Sequence, residues 1–355
     1  MKQSQENYKR IVIKIGSSLL LSDKKTLDLV FLGQIVNQIA QLVKRGIKVV
    51  VVSSGAIASG MYILKFSSRP KELAALQALA AVGQHFLMDQ YRHFFTQEKL
   101  ECAQILLTWE DFNARDRYLN AKNTLVKLLE FKATPIINEN DTVSTGEIKF
   151  GDNDRLSALV ASLISADLLV ILSDVDGLFD KDKRVIRIVD AITAQVKALA
   201  CPTSKKTCVG GMITKIEAAK IAVESGIPCV IANGRRRGIL SSVIHQPEEH
   251  GTLFVPKTLH LAAKKRWIAF GTNPKGRIIV DDGAKNALLN KKSLLSVGII
   301  SADGDFDKGD IVSIADRQHA EFARGKAGFS MPQLNKIKGA RFEREAIHRD
   351  NIVIL

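Results

Sequence analysis

The chain has 355 residues, of which 46% are apolar and 25% are charged, and its formal net charge is +14. This length exceeds what one hydrophobic core usually supports, so we expect two domains. No apolar run reaches the roughly 18 residues of a membrane-spanning helix, which argues against a membrane protein. The polar start and the four cysteines, which show no CxxC spacing, predict a cytoplasmic protein without a secretory signal or disulfide framework.

The first predicted strand, Ile11–Ile15, is apolar except for Lys14. Such a run is typical of a strand that is buried on both faces of a sheet. A lysine there is costly unless its ammonium reaches an anion, and a phosphate at the amides of Gly16–Ser18 would supply one. The alternative is a lysine that extends to the surface.

A helical pattern from Leu29 to Val43 precedes the second buried strand, Val49–Val52, which leads into the small residues Ser53–Gly60. Small residues before a helix let backbone amides approach a ligand, and the helix dipole favours negative charge there. The alternation of strands and helices predicts a parallel sheet that is covered by helices.

The stretch Asn138–Arg155 follows the predicted strand Pro135–Ile137 and precedes a helix. It therefore lies where an open α/β sheet has its ligand crevice. The stretch is rich in carboxylates and amides, namely Asn138, Asn140, Asp141, Asp152, Asn153 and Asp154. This set suits a small zwitterion or a metal–nucleotide complex, whereas a helix-capping loop would explain only one or two members.

Two later segments also place polar residues after a buried strand or at the start of a helix. The buried strand Leu168–Leu172 ends in Ser173–Phe179, whose paired carboxylates suit contacts to a nucleotide ribose or a metal. The segment Val209–Lys215 places two glycines, a threonine and a lysine at a helix start, which can cradle an anion although the spacing is not that of a Walker A motif. With Lys14, these features predict a phosphoryl-transfer enzyme.

From Thr252 to Arg266 the α/β pattern is lost, which predicts a linker. Short β-like runs follow and predict a small β-rich domain: Arg277–Val280, Gly298–Ile300, Asp310–Ile314 and Ala320–Ala323. The last 100 residues carry 18 Lys and Arg against 11 Asp and Glu. This excess permits polyanionic partners.

Five motifs occur in order: Lys14–Ser18, Ser53–Gly60, Ile137–Asp141, Gly151–Asp154 and Gly210–Lys215. Together they resemble the bacterial glutamate 5-kinases of the amino acid kinase superfamily. Gly276–Ala284 and Gly309–Val312 resemble a PUA domain, a fold found in RNA-modifying enzymes. The resemblance implies a three-layer αβα sandwich with a mainly parallel sheet at residues 1–258, a linker at 259–274 and a PUA-like domain at 275–355.

The resemblance also implies ATP-dependent phosphorylation of the γ-carboxylate of L-glutamate, the first step of proline synthesis, with Mg²⁺ bridging the ATP phosphates. Lys14 and Lys215 would stabilise the transferring phosphoryl group, and Asp154 would hold both lysines. Glutamate would bind Ser54, Gly55, Ala56, Asn138, Asp141, Asp152 and Asn153, with Asp141 pairing with the α-ammonium. The ATP pocket would contain Lys14, Ser173, Asp174, Val209, Gly210, Gly211, Met212, Ile213, Thr214 and Lys215.

Two departures from the family pattern bear on ATP affinity. Val209 and Ile213 stand where the family often has hydroxyl residues, and Asp180–Lys183 lacks the Asp-Pro of many relatives. The resemblance further implies feedback inhibition by L-proline and a homo-oligomer, and it leaves RNA binding by the tail open. The alternative functions are an acetylglutamate-, carbamate- or uridylate-type kinase on the same fold, and an RNA-binding or regulatory protein.

Overall fold

The computed structural model describes residues 8–22, 26–144, 153–200, 211–256, 263–270, 274–340, 342 and 344–355. The chain divides into an N-terminal unit, Met1–Asp111 and Arg115–His260, and a C-terminal unit, Phe112–Ala114 and Leu261–Leu355. Each unit has its own sheet and its own hydrophobic core.

The strands are β1 (Arg10–Ile15), β2 (Lys48–Ser53), β3 (Glu101–Leu107), β4 (Ala133–Glu139), β5 (Leu168–Ser173), β6 (Ile188–Val189), β7 (Cys229–Asn233), β8 (Gly251–Phe254), β9 (Gly276–Val280), β10 (Ile299–Gly304), β11 (Ile311–Ala315), β12 (Glu321–Lys326) and β13 (Ile352–Ile354). The helices are α1 (Ser17–Leu20), α2 (Leu29–Lys44), α3 (Ala56–Ile63), α4 (Leu73–Gln97), α5 (Glu110–Asn113), α6 (Arg115–Glu130), α7 (Asn153–Ile164), α8 (Ala194–Leu199), α9 (Met212–Glu224), α10 (Ile239–His245), α11 (Pro247–His250), α12 (Ala263–Phe270), α13 (Asp282–Leu289) and α14 (Met331–Ile337).

Among the described residues, the strands of the N-terminal unit form one sheet in the order β3-β4-β2-β1-β5-β7-β8-β6. Neighbouring strands are parallel except β7 and β8. β1 lies between β2 and β5, and Lys14 is level with Val52 and Ile171 on those strands. Since the chain extends the sheet first on one side of β1 and then on the other, the carboxyl end of β1 is a topological switch point, where such sheets bind ligands.

Helices cover both faces of this sheet. Alternate side chains of the central strands, including Ile13, Val51 and Val170, share one hydrophobic core with residues of α2, α4 and α10. The intervening side chains, such as Val12 and Val50, are fully buried beneath the other helical layer, which contains α7 and α9. The three layers and the mainly parallel sheet confirm the predicted fold class.

The helices α3 and α4 cross at very short range, and a glycine on each makes the approach possible. A Cβ atom on Gly83 would stand 1.8 Å from the carbonyl oxygen of Ala56, and one on Gly60 would stand 1.9 Å from that of Leu79. No other residue fits there, because every other side chain begins with a Cβ atom. The crossing therefore fixes the start of α3, and with it the backbone that follows β2.

The C-terminal unit contains a sheet in the order β10-β9-β11-β12-β13. Its neighbouring strands are antiparallel except β9 and β11. Its core joins strand residues such as Ile278 and Ile314 to Leu288 of α13 and Leu334 of α14. This unit confirms the predicted small β-rich domain.

The sequence analysis missed several elements near the end of the N-terminal unit and beyond it. The α/β pattern does not end at Thr252, because β8 pairs with β7 in an antiparallel register. β8 has only four residues and depends on that pairing, so its sequence alone carries little signal. Residues 263–270, within the predicted linker, form α12, whereas 257–262 and 271–273 lie outside the described residues. The exact domain boundaries stay a prediction.

Candidate active site

A buried carboxylate, Asp154, lies between two lysine ammonium groups at the carboxyl end of β1. Lys14 Nζ is 2.5 Å from Asp154 Oδ1, and Lys215 Nζ is 3.1 Å from Asp154 Oδ2. Thr214 donates its hydroxyl to Asp154 Oδ2 over 2.8 Å. Lys14 belongs to β1, Asp154 to the first turn of α7, and Lys215 to the first turn of α9. We call Lys14, Asp154 and Lys215 the charged triad.

The charged triad combines deep burial with excess positive charge. Lys14 is 4% exposed, Asp154 3% and Lys215 9%. Burial tends to raise the pKa of Asp154, but the attraction of Lys14 and Lys215 outweighs it and lowers the pKa below its usual value. Two lysine ammonium groups thus meet at one carboxylate, and Asp174 lies close enough for Lys215 to lower its pKa. Two ammonium groups in such surroundings suit an anionic ligand such as a phosphoryl group.

An amide network adjoins the charged triad through the neighbouring residue Asn153. Its Nδ2 lies 2.9 Å from each of three acceptors: the backbone carbonyl of Ser53, the hydroxyl of Ser54 and Oδ1 of Asn138. Asn138 Nδ2 donates in turn to Gln84 Oε1 on α4 over 2.7 Å. The network joins the ends of β2, β4 and the start of α7, and its amides suit a small polar ligand.

The loop after β2 presents backbone N–H groups beside this network. Gly55 has φ +107°, a left-handed conformation that favours glycine, and α3 begins at the next residue, Ala56. The first N–H groups of a helix have no partner within that helix. The start of α3 therefore offers N–H groups to a carboxylate next to the hydroxyl of Ser54.

Asp141 lies two residues beyond the end of β4. Burial raises its pKa to about 6, although the positive charge of Arg69 acts in the opposite direction. A carboxylate that is costly to ionise gains from a cationic ligand, because the ligand's charge favours the ionised form. This property suits a partner for an ammonium group.

The loops after β5 and before α9 flank the triad on its other side. The buried Ser173 hydroxyl donates to Asp174 Oδ1 over 3.0 Å. Burial acts to raise the pKa of Asp174, but hydrogen bonds and the attraction of Lys215 lower it overall. Gly211, with φ +74°, precedes α9, whose first residues Met212 and Ile213 are half-buried. Asp152, Val209 and Gly210 lie outside the described residues.

The described residues contain no group of three or more His, Cys, Asp or Glu side chains that could hold a metal ion. Asp154 is already engaged by two lysines. A Mg²⁺ ion bound mainly by substrate phosphates needs only one or two protein carboxylates, and Asp174 offers one beside the triad. The residues present thus fit a metal that arrives with a nucleotide.

Comparison with known proteins places the chain in a family. The sequence model of the Amino acid kinase family matches residues 9–233, and that of the PUA domain matches residues 276–346. A glutamate 5-kinase from Thermoanaerobacter sp. (strain X514) is 43% identical over 98% of both chains. One from Geobacter metallireducens is 44% identical over 99% of this chain and 98% of that relative. The chain belongs to the glutamate 5-kinase family.

Solved structures agree with the fold of this glutamate 5-kinase family member. N-acetylglutamate synthase from Neisseria gonorrhoeae, complexed with coenzyme A and N-acetyl-glutamate, aligns with a TM-score of 0.51 and 16% identity. The alignment covers 71% of this chain and 60% of that one. At this identity the likeness concerns the fold alone. Within the described part of the family member, no helix is long and apolar enough to cross a membrane.

In this glutamate 5-kinase family member, the structure brings two groups of the residues selected from the sequence into contact. Lys14, Asp154 and Lys215 are in direct contact, and Asn138, Asn153 and Ser54 share one network. The sequence analysis missed Gln84. Its only sequence signal is a polar residue beside Gly83 within a long helical pattern, and its partner Asn138 is 54 residues away.

Proposed function

We propose that the chain phosphorylates the γ-carboxylate of L-glutamate with ATP to give L-glutamyl 5-phosphate and ADP, the first step of proline synthesis. The observation that carries this proposal is the contact between the charged triad and the amide network through the consecutive residues Asn153 and Asp154. This arrangement places a polar acceptor site next to a buried positive charge.

In the proposed reaction, a γ-carboxylate oxygen of glutamate forms a bond to the γ-phosphorus of ATP. The bond from that phosphorus to the bridging oxygen breaks, and ADP leaves with the electron pair. Negative charge on the transferring group and the leaving oxygen would meet Lys14 and Lys215. Asp154 would hold the two ammonium groups in position, because each contacts a different oxygen of its carboxylate. Mg²⁺, when bound, would neutralise further phosphate charge.

The acceptor would be oriented by the groups around β2 and β4. Asp141 would pair with the α-ammonium, while Ser54 and the first N–H groups of α3 would bind a carboxylate. Asn138 and Asn153 would supply amide contacts, and Asp152 would join them as the family resemblance implies. The ATP pocket would comprise Ser173, Asp174 and Val209–Lys215, including Gly210.

The first experiment measures ATP turnover with L-glutamate and traps the acyl phosphate as a hydroxamate. Parallel reactions offer N-acetylglutamate, carbamate and UMP as acceptors. We expect glutamate-dependent hydroxamate in the wild type and a loss of about 10²- to 10³-fold in kcat for Lys215→Ala. Lys220→Ala is the matched control, because Lys220 lies on the same helix in an exposed pair with Glu224. Turnover with another acceptor alone would refute the substrate assignment.

We also propose, from the family resemblance, that L-proline inhibits at or beside the glutamate site and that the chain forms a homo-oligomer in the cytoplasm. Proline carries the same α-carboxylate and a cationic α-nitrogen, so it would compete for Asp141 and the start of α3. Competitive inhibition raises the KM for glutamate and leaves kcat unchanged. Inhibition that lowers kcat alone would contradict a shared site.

The C-terminal unit supports a second candidate function, RNA binding. One cavity of about 530 Å³ is lined by Lys265, Lys291, Lys292 and Arg349, with Asp350 as the acidic residue. Another of about 500 Å³ is lined by Lys308, Lys326, Arg344 and His348, with Glu345. Phosphates favour such basic surfaces, but neither cavity is lined by Phe, Tyr or Trp, and the second offers His348 as a ring on which a base could stack.

Filter binding with tRNA at graded salt tests this second function. We expect weak binding at low salt that falls steeply as salt rises, because released counterions drive phosphate contacts. The double variant Lys291→Ala, Lys292→Ala weakens it, whereas Lys181→Ala, Lys183→Ala in the N-terminal unit is the control. An absence of binding at low salt would leave the unit with a structural or regulatory role.

A further inference from the structure

The side chain of Gln84 reaches the amide network from α4 without belonging to any loop of the site. It is 9% exposed, and its Oε1 accepts a hydrogen bond from Asn138 Nδ2 over 2.7 Å. The preceding residue, Gly83, lies at the close crossing with α3 beside the Ala56 carbonyl. One turn of α4 thus supports both the start of α3 and the amide of Asn138.

Backbone groups determine which way the two asparagine amides face. The Glu139 N–H can only donate, and it lies 2.9 Å from Asn138 Oδ1. The Ser53 carbonyl can only accept, and it lies 2.9 Å from Asn153 Nδ2. Asn138 therefore directs its NH₂ group toward Gln84, and Gln84 must present an oxygen to it. With Gln84 in place, every amide in the series has one orientation.

The last amide of the series has a polar atom left over. Asn153 is 7% exposed, and its Oδ1 has no hydrogen-bond partner among the residues that the structure describes. A buried acceptor without a donor is costly, so the site gains from a ligand that supplies an N–H group. Of the polar groups of glutamate at neutral pH, only the α-ammonium is a donor; the two carboxylates accept.

We propose that Gln84 is a positioning residue that holds Asn138, and through it Asn153, so that Asn153 Oδ1 accepts a hydrogen bond from the substrate's α-ammonium. This inference rests on the proposed function and adds a specificity element to the same site. The carboxylate of Asp141 attracts the ammonium through its charge, and the hydrogen bond to Asn153 Oδ1 orients the ammonium. Gln84 itself touches neither substrate.

The test uses Gln84→Met, which keeps the length of the side chain but removes the acceptor. Two quantities are compared in the full-length protein: the KM for L-glutamate and the inhibition constant of glutarate, which has both carboxylates but no amine. We expect the KM for glutamate to rise about tenfold, because the buried Asn138 Nδ2 loses its acceptor and the Asn138 side chain, with Asn153 bonded to it, shifts from its position. The glutarate constant, the KM for ATP and kcat stay within about twofold.

Gln84→Glu provides the rescue, since its carboxylate oxygen still accepts from Asn138 Nδ2, and its KM for glutamate stays near that of the wild type. Gln97→Met, the same change at an exposed position of α4, is the matched control. Equal losses for glutamate and glutarate would mean that Gln84 only supports the fold, and an unchanged glutamate KM would also overturn the inference. A wild type without activity on glutamate would overturn the proposed function and this inference together.

Discussion

At the scale of single residues, the site depends on ionisable groups in costly surroundings. Lys14 is the clearest case, because a lysine within an apolar strand already predicts an anionic partner. In the structure that partner is Asp154, which Lys215 approaches from a second helix. Asp141 is the converse case, a carboxylate whose pKa burial raises to about 6. These surroundings are the basis of the ligand contacts proposed above for the two residues.

The raised pKa of Asp141 predicts the pH dependence of substrate affinity. As the pH falls through about 6, Asp141 takes up a proton and loses the charge that attracts an ammonium group. The KM for glutamate therefore rises toward pH 5, while kcat at saturating glutamate changes less. Steady-state kinetics from pH 5 to pH 8, a range of about three units that includes this pKa, give the KM for glutamate at each pH. Asp141→Asn removes this rise in the KM, whereas Asp89→Asn, a change at an exposed helix position, keeps it. A wild-type KM that does not change with pH would refute the role of Asp141.

The same shift predicts a gain in stability when Asp141 is replaced. Its pKa is higher in the folded chain than the usual 3.8, so ionisation disfavours the folded state once the pH exceeds the lower value. At pH 8 we expect Asp141→Asn to raise the free energy of unfolding, by on the order of 1–2 kcal/mol. The gain becomes small near pH 3.5, where the carboxyl group is mostly protonated in both states. Urea denaturation at the two pH values checks the sign; destabilisation at pH 8 would contradict it.

At the scale of secondary structure, the crossing of α3 and α4 determines where the proposed acceptor site lies. Gly60 and Gly83 bring the two helix backbones into direct contact. The approach explains why α3, a short helix with a left-handed glycine before it, holds a defined position after β2. Because Ser54 lies just before α3 and Gln84 follows Gly83 on α4, the crossing also fixes the Ser54 loop relative to Gln84.

We expect Gly83→Ala to disrupt this crossing. The new Cβ atom would meet the backbone of Ala56, which cannot move aside as a flexible side chain could. Overpacking of this kind costs roughly 1–3 kcal/mol of unfolding free energy, and the displaced α3 raises the KM for glutamate. Urea denaturation and kinetics measure both effects. Ala81→Ser adds one heavy atom at an exposed position of the same helix and should change neither the unfolding free energy nor the KM. If the two variants behaved alike, the close contact between Gly83 and the Ala56 backbone would be disproved.

The elements differ in how well the sequence predicts them. Continuous apolar runs such as Leu168–Leu172 identify buried strands, because only a strand covered on both faces needs such a pattern. β8 and α13 escaped prediction, since their short segments are stabilised by pairing and packing with distant residues. The apolar sequence around Lys14 predicts that its ammonium contacts an anion. That Asp154 holds both Lys14 and Lys215 was expected only from the family resemblance. Gln84 could not be predicted, because a buried glutamine in a helix carries no sign of its partner.

At the scale of the whole molecule, the described residues form two hydrophobic cores that share no residue. Ile35 of α2 lies in the core of the N-terminal unit, and Ile314 of β11 lies in that of the C-terminal unit. Both side chains are fully buried. The two basic cavities described above belong to the C-terminal unit. A cavity of about 970 Å³, lined by Arg235, Arg236 and Arg237 among others, belongs to the N-terminal unit, as do the charged triad and the amide network.

Separate cores predict separate unfolding transitions. Ile314→Ala should lower one calorimetric transition and Ile35→Ala the other, each by about 2–5 kcal/mol, because each creates a cavity in a different core. The Ile314→Ala variant keeps its kinase activity at temperatures below both transitions. Differential scanning calorimetry, with hydroxamate assays on the same samples, provides the measurement. A single transition that both variants shift equally would contradict independent cores.

The burial of the charged triad has a consequence for attempts to engineer this protein. Replacing a buried ionic group with apolar residues of similar volume is often neutral or stabilising, because the ions no longer have to leave water. A selection for heat resistance alone would therefore tolerate or even enrich apolar residues at positions 14, 154 and 215, and under the proposed mechanism the survivors would be stable but inactive. A library screened for thermostability must accordingly be assayed for turnover at every round.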